Sequence, residues 1–171
     1  MKPEAWIDIP FLALPALIRD HAIERTRHLA VVQDERSLDY AALDAYMDRI
    51  AASLQRDGLK AKDAIAICAS TSIDYLAVFL AALRAGVAVA PLTPSSMPET
   101  IATMIADSGS KLFFLDKGVA EELKKVEHSI KARRIALDDS DAGEPFSKWL
   151  AAEDAKPADV EIEPSSAFNI I

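Results

Sequence analysis

Three consecutive hydroxyls, Ser70-Thr71-Ser72, follow a short apolar run and precede a helical pattern. Hydroxyls at a strand's carboxyl end and a helix's start can meet an anion, because helix N-termini favour negative charge. The same residues serve as ordinary N-caps, and that reading is adopted. Lys124, Lys125, Lys131, Arg133 and Arg134 would suit phosphate, yet the acids around them point to a solvated helix face running into a strand. Asp138, Asp139 and Asp141 read as a soluble turn rather than a metal site, and His21, His28 and His128 are too scattered for a ligand set. Trp149 with Phe146 reads as a packing anchor, not a base-stacking pair.

Phosphate cradles leave a glycine signature, and here it is missing. A Walker loop needs G-x-x-x-x-G-K and a dinucleotide fingerprint needs G-x-G-x-x-G. Gly58, Gly86, Gly109, Gly118 and Gly143 satisfy neither spacing. Cys68, the single cysteine, cannot form an internal disulfide or a Cys-based zinc site, and a reducing cytoplasm is expected. Within 1–171 no residue is assigned as catalytic, cofactor-binding or metal-binding.

The 171 residues, 51% hydrophobic with mean hydropathy +0.11, suffice for one domain with an arm. A net charge of −8 argues against nucleic acid as a partner. Ile7–Ile18 is apolar but broken by Pro10 and Pro15, so no signal peptide is read. The longest clean apolar run, Tyr75–Leu83, falls far short of the roughly 20 residues of a membrane span. A soluble chain without a transmembrane segment is expected.

The elements that must position these residues alternate helix and strand. A helix is predicted from about Pro15 to Thr26, then a hairpin of Leu29–Gln33 and Arg36–Leu38, then a long helix Tyr40–Asp57 capped by Asp39 and closed by Gly58. Strands are predicted at 64–69, 87–91, 111–116, 133–137 and 167–171. The helices between them are Ser72–Ala85, opened by a Thr71/Asp74 capping box, one opened by Ser96/Glu99, Val119–Ile130, and a short one near Phe146–Leu150. Helical crossovers imply a parallel sheet covered on both faces. The expected organisation is a helix-and-hairpin arm over 1–38, αβ repeats over 39–150, a linker over 151–164 and a strand over 165–171. That strand stops within what reads as a buried run, so the chain is expected to be a fragment that exposes Phe168, Ile170 and Ile171 to self-association.

Three segments resemble the N-terminal part of the adenylate-forming enzymes, the superfamily of acyl-CoA synthetases, peptide-synthetase adenylation domains and luciferases. They are Leu38–Leu43 (LDYAAL) leading to Arg56–Ile67, Tyr75–Pro94 (YLAVFLAALRAGVAVAPLTP), and Ile105–Asp116 (IADSGSKLFFLD). Ala42, Lys62 and Thr71 depart from the usual glutamate, glycine and asparagine, and Ser95 stands where some relatives carry a basic residue for a CoA phosphate.

The resemblance implies the N-terminal subdomain of the acyl-CoA synthetase-like fold, an α/β fold with a mainly parallel sheet, ending before the phosphate loop. It implies a parent ligase of fatty-acid type that joins a small-molecule carboxylic acid to CoA through an acyl adenylate, with ATP, Mg²⁺ and CoA. None of these is expected to bind 1–171, which should be inactive alone. A carrier-protein acceptor remains open, as does a free-standing flavodoxin- or receiver-like module with Asp116 as phosphoacceptor. Against the receiver stands Ser70-Thr71-Ser72, where an acidic pair belongs.

Overall fold

Short apolar strands that alternate with helices can bury both faces only as a covered parallel sheet. The computed structural model describes residues 11–171, so the first part of Ile7–Ile18 and residues 1–10 of the expected arm lie outside the described residues. β1 (Leu29–Gln33) and β2 (Arg36–Asp39) form a separate antiparallel hairpin. β3 (Ala64–Cys68), β4 (Ala88–Pro91), β5 (Leu112–Leu115), β6 (Arg133–Ala136) and β7 (Glu144–Pro145) form one sheet in the order β4-β3-β5-β6-β7, with every pair parallel. The helices are α1 (Leu14–Glu24), α2 (Tyr40–Arg56), α3 (Ile73–Arg84), α4 (Pro98–Asp107), α5 (Lys117–Leu123) and α6 (Phe146–Trp149).

Alternate strand residues divide the core in two, as a period of two requires. Ile65, Ile67, Val89, Phe114 and Ile135 pack with α1, α2, α3 and α6. Ala66, Cys68, Ala90, Phe113 and Leu115 pack with α4 and α5. Trp149 is fully buried on the first face, edge-on to Phe114 at 5.2 Å and stacked on Phe146 at 5.6 Å. Its indole Nε1 donates to Asp57 Oδ2 at 2.7 Å, so the anchor's polar end is satisfied too.

The structure departs from the sequence-based expectations at five places. The helix predicted over Val119–Ile130 ends at Leu123, and a 3-10 turn occupies Glu127–Ser129. Past Leu123 the backbone tightens to i→i−3 bonds, Val126 N–H to Leu123 O and Ser129 N–H to Val126 O, both at 2.9 Å. Side chains reinforce the turn: Ser129 Oγ donates to Val126 O at 2.6 Å and Arg134 to Glu127 O at 3.2 Å. No Ser96/Glu99 capping box forms, because Met97 holds the cap position and Pro98, lacking an N–H, opens α4. At α3 the cap is Ser72, whose Oγ accepts the Tyr75 N–H at 3.0 Å, rather than Thr71.

β7 has no counterpart in the sequence reading. It rests on a close approach at Gly143, where a Cβ would lie 2.7 Å from the Arg134 backbone. The strand predicted over 167–171 is a single parallel bridge, Val89 to Asn169. Val89 N–H donates to Phe168 O at 3.1 Å and Ile170 N–H to Val89 O at 2.9 Å. The next rung would need an N–H from Pro91, which has none, and the ladder stops.

Candidate functional site

In open parallel sheets a crevice opens where neighbouring strands send their helices to opposite faces. β3 leads to α3 on one face and β5, its neighbour, leads to α5 on the other. Their carboxyl ends border a cavity of about 370 Å³ lined by Ser70, Ser72, Asp74, Asp116, Asp138 and the hairpin turn. This is the position at which the sequence placed its hydroxyls and Asp116.

The crevice is closed by its own side chains. Asp116 bridges it, accepting the Ser70 N–H at 2.7 Å on one oxygen and the Val119 N–H at 2.9 Å on the other, which caps α5. Asp138 accepts the Lys117 N–H at 3.0 Å. Burial alone would raise the Asp138 carboxyl, but hydrogen bonds from Ser140 and Lys117 hold it below the usual carboxylate range. Gln33 Oε1, from the hairpin, accepts the Ile73 N–H at 2.9 Å, and Ser72 takes that of Tyr75. The amides of Ser70, Ile73, Tyr75, Lys117 and Val119 around it are therefore occupied, and the surrounding carboxylates repel an anion.

Arg36 is the cation beside the crevice, and it is spent on Asp74 through bonds of 2.7 and 2.9 Å. Tyr46 donates its hydroxyl to the same carboxylate at 2.6 Å. Burial and the Asp74 hydrogen bond push the Tyr46 phenol well above its ordinary value, and the Asp74 bond raises Arg36. The cluster pins the hairpin to the start of α3 and commits Arg36, Tyr46 and Asp74 to one another. Cys68 lies under the crevice floor, its thiol pushed up to about 12 by burial and by the Asp116 charge, which keeps it protonated.

The remaining candidates disperse. Lys124 pairs with Glu121, Arg133 with Asp57 and Glu144, and Arg134 with Glu127, so three of the five basic residues are spent on nearby acids. Asp139 accepts the Ser147 N–H at 2.7 Å and Asp138 the Ser140 hydroxyl at 2.6 Å. Among the described residues no group of three or more His, Cys, Asp or Glu could hold a metal ion. His21 lies against the Tyr40 ring at 4.8 Å.

A second polar cluster escaped the sequence reading. Asp48, 1% exposed on α2, accepts Arg84 of α3 at 2.7 Å, Arg19 of α1 at 2.5 Å and Lys156 at 2.8 Å. Asp44 accepts Arg84 at 2.5 Å and Arg19 at 3.3 Å. Burial alone would raise the Asp48 carboxyl, but the Lys156 hydrogen bond and the two guanidinium charges hold it below the usual range. One signal was available: Arg84 is a charge inside the otherwise apolar stretch LAVFLAALRAG.

The sequence model of the AMP-binding enzyme family matches residues 18–171. The dimodular nonribosomal peptide synthase of Bacillus subtilis (strain 168) is 29% identical over 143 residues, covering 84% of this chain and 6% of that protein. The crystal structure of a putative long-chain-fatty-acid CoA ligase from Rhodopseudomonas palustris CGA009 superposes with a TM-score of 0.85 at 21% identity, over 94% of this chain and 41% of that one. The N-terminal domain of FACL13 from Mycobacterium tuberculosis gives a TM-score of 0.81, also at 21% identity, over 94% and 41%. The chain thus spans less than half the length of these proteins. Its parallel sheet with helices on both faces matches the N-terminal subdomain of acyl-CoA synthetase-like structures. No helix among the described residues is long and apolar enough to cross a membrane.

Proposed function

The chain belongs to the AMP-binding enzyme family, and from that premise we propose that it forms the leading part of a longer cytoplasmic carboxylic acid–CoA ligase. The family is one of adenylate-forming ligases that use ATP and Mg²⁺. In the proposed reaction a carboxylate oxygen attacks the α-phosphorus of ATP, the bond to pyrophosphate breaks, and an acyl adenylate forms. The thiol of CoA then attacks the acyl carbon, loses its proton and displaces AMP.

The observation that carries this reading is the family match along the whole of the sheet. The crevice residues do not fit a triphosphate, since five amides around the crevice are bonded to side-chain oxygens, Arg36 is paired with Asp74 and the carboxylates repel anions. Among the described residues no group of three or more His, Cys, Asp or Glu could hold Mg²⁺. No step is therefore assigned to 1–171. Its part is scaffold: a rigid sheet against which a phosphate-binding loop is set. We place that loop after the segment paired with β4, as a Ser/Thr/Gly-rich stretch ending in Pro-Lys-Gly, because glycine lets backbone approach phosphate. On its own, the chain should show no micromolar ATP binding by calorimetry.

A carrier-protein acceptor is the second reading. It is favoured by relatives such as the dimodular peptide synthase and by Ser95, which follows Pro94 where a basic residue would face a CoA phosphate. Pyrophosphate exchange on the full-length protein, with amino acids and simple acids compared, tests both. Exchange with a simple acid, followed by a CoA thioester, is the expected result. Exchange with amino acids alone selects the carrier-protein reading, and exchange with no acid removes the ligase reading.

A further inference from the structure

The stretch expected as a linker lies along α2. Ala151 N–H donates to Ser53 Oγ at 2.8 Å and its carbonyl accepts Arg49 Nε at 2.9 Å. Lys156 reaches Asp48, and Gln55 pairs with the Ala158 backbone in both directions, at 2.9 and 2.7 Å. Val160 then packs where Gly86 (φ +69) turns α3 into β4, so tightly that a Cβ on Gly86 would lie 2.8 Å from Val160 Cγ1. Beyond it, Phe168–Ile170 meets the sheet through the two bonds to Val89. Two hydrogen bonds are too few to define a register alone when Phe168 is 60% exposed. Ile170 adds packing against the α4 and α5 face of the core, and the anchors on α2 hold the segment that leads to it.

We propose that residues 151–166 are a strap that sets the register of Phe168–Ile170 against β4, with Gln55 and Lys156 as its positioning residues. Resting on the ligase reading, the strap then fixes where the backbone enters the phosphate-binding loop. Gln55 and Lys156 touch no substrate. They act through the chain they hold: Gln55 binds it at the Ala158 backbone, and Lys156, itself exposed, reaches an Asp48 carboxylate that Arg84 and Arg19 still hold in its absence.

The test uses Gln55→Ala and Lys156→Gln in the full-length protein, with the exposed Lys148→Gln as control. Amide exchange at Val89 and Ile170 should quicken roughly five- to ten-fold, the scale of one or two net hydrogen bonds, while Ile67 in β3 stays protected. In pyrophosphate exchange, KM for ATP should rise by about the same factor with kcat changed less than about two-fold, since only positioning is lost. Lys156→Arg, which keeps the charge, should restore both readouts. Unchanged exchange at Val89 and Ile170, or equal acceleration in β3, overturns the strap. Faster exchange with an unchanged KM for ATP overturns its link to the loop. A wild type inactive with every acid defeats the ligase reading alone, and amide exchange then decides the strap.

Discussion

The crevice between β3 and β5 and the ionic cluster between α1, α2 and α3 are built from the same materials, carboxylates and nitrogen donors, with opposite consequences. In the crevice, Asp116 and Asp138 accept backbone amides at an open end of the sheet. In the cluster, Asp48 is closed off and balances Arg84, whose side chain is 8% exposed. A cap whose carboxylate is removed still has water to turn to. A buried guanidinium does not, so the region that looked inert in sequence should be the costlier to disturb.

The largest effect is therefore expected from Asp48→Ala. It leaves Arg84 buried beside Asp44 alone and releases Lys156, a loss of about 3–5 kcal/mol in denaturant unfolding. A loss below about 1 kcal/mol, the scale of an exposed pair, would erase the contrast between the two regions. Acid titration gives a second measure. Because the folded Asp48 carboxyl lies below its usual range, it contributes stability above its unfolded value near ~3.9 and loses it as pH falls through the folded value. Below about pH 4 the wild type should lose stability more steeply than Asp48→Asn.

Next in size is Asp116→Ala. Two amides, of Ser70 and Val119, lose their acceptor at once, the first at an exposed site and the second partly buried, so roughly 1–2 kcal/mol is expected. Asp116→Asn keeps one acceptor oxygen and should fall between alanine and the wild type. Incubation with Mg²⁺ and acetyl phosphate should leave Asp116 unmodified, since both oxygens are held by backbone amides. A stable acyl-phosphate adduct would revive the receiver-like reading that the family match sets aside.

What was legible in the sequence follows from which interactions are local. Apolar runs such as AIAIC and LFFL, too short for a buried helix and bounded by polar residues, read as buried strands, and helix-ending Gly58, Gly86 and Gly109 all take positive φ. Trp149 and Phe146 declared themselves by size. The Arg36–Asp74–Tyr46 clasp and the Asp48 cluster join residues from separate elements, and no spacing rule reports that. The failures at residues 119–130 and 167–171 both lie in the backbone hydrogen bonding. Helix and strand propensity were present, but the backbone past Leu123 tightens to i→i−3 bonds in one case and Pro91 lacks the amide in the other. Site chemistry was illegible for a physical reason too: the crevice had the right residue types, and only the structure shows that Asp116, Asp138, Gln33 and Ser72 already hold amides around it.

The smallest effect separates two neighbours and returns to the crevice. Sequence reasoning gave the cap of α3 to Thr71 with Asp74, a capping box. In the structure Asp74 is committed to Arg36 and Tyr46, and the cap is Ser72. Ser72→Ala removes the acceptor of the Tyr75 N–H at the first turn of a well-anchored helix, so it should cost about 1 kcal/mol. Thr71 is exposed and makes no such bond, so Thr71→Ala should stay within about 0.5 kcal/mol. Urea unfolding of both variants at neutral pH resolves that difference provided the m-values match. The reverse order would mean that the helix start shifts by one residue. The Ile73 N–H would then lose its bond to Gln33, and the crevice would regain a free amide for an anion.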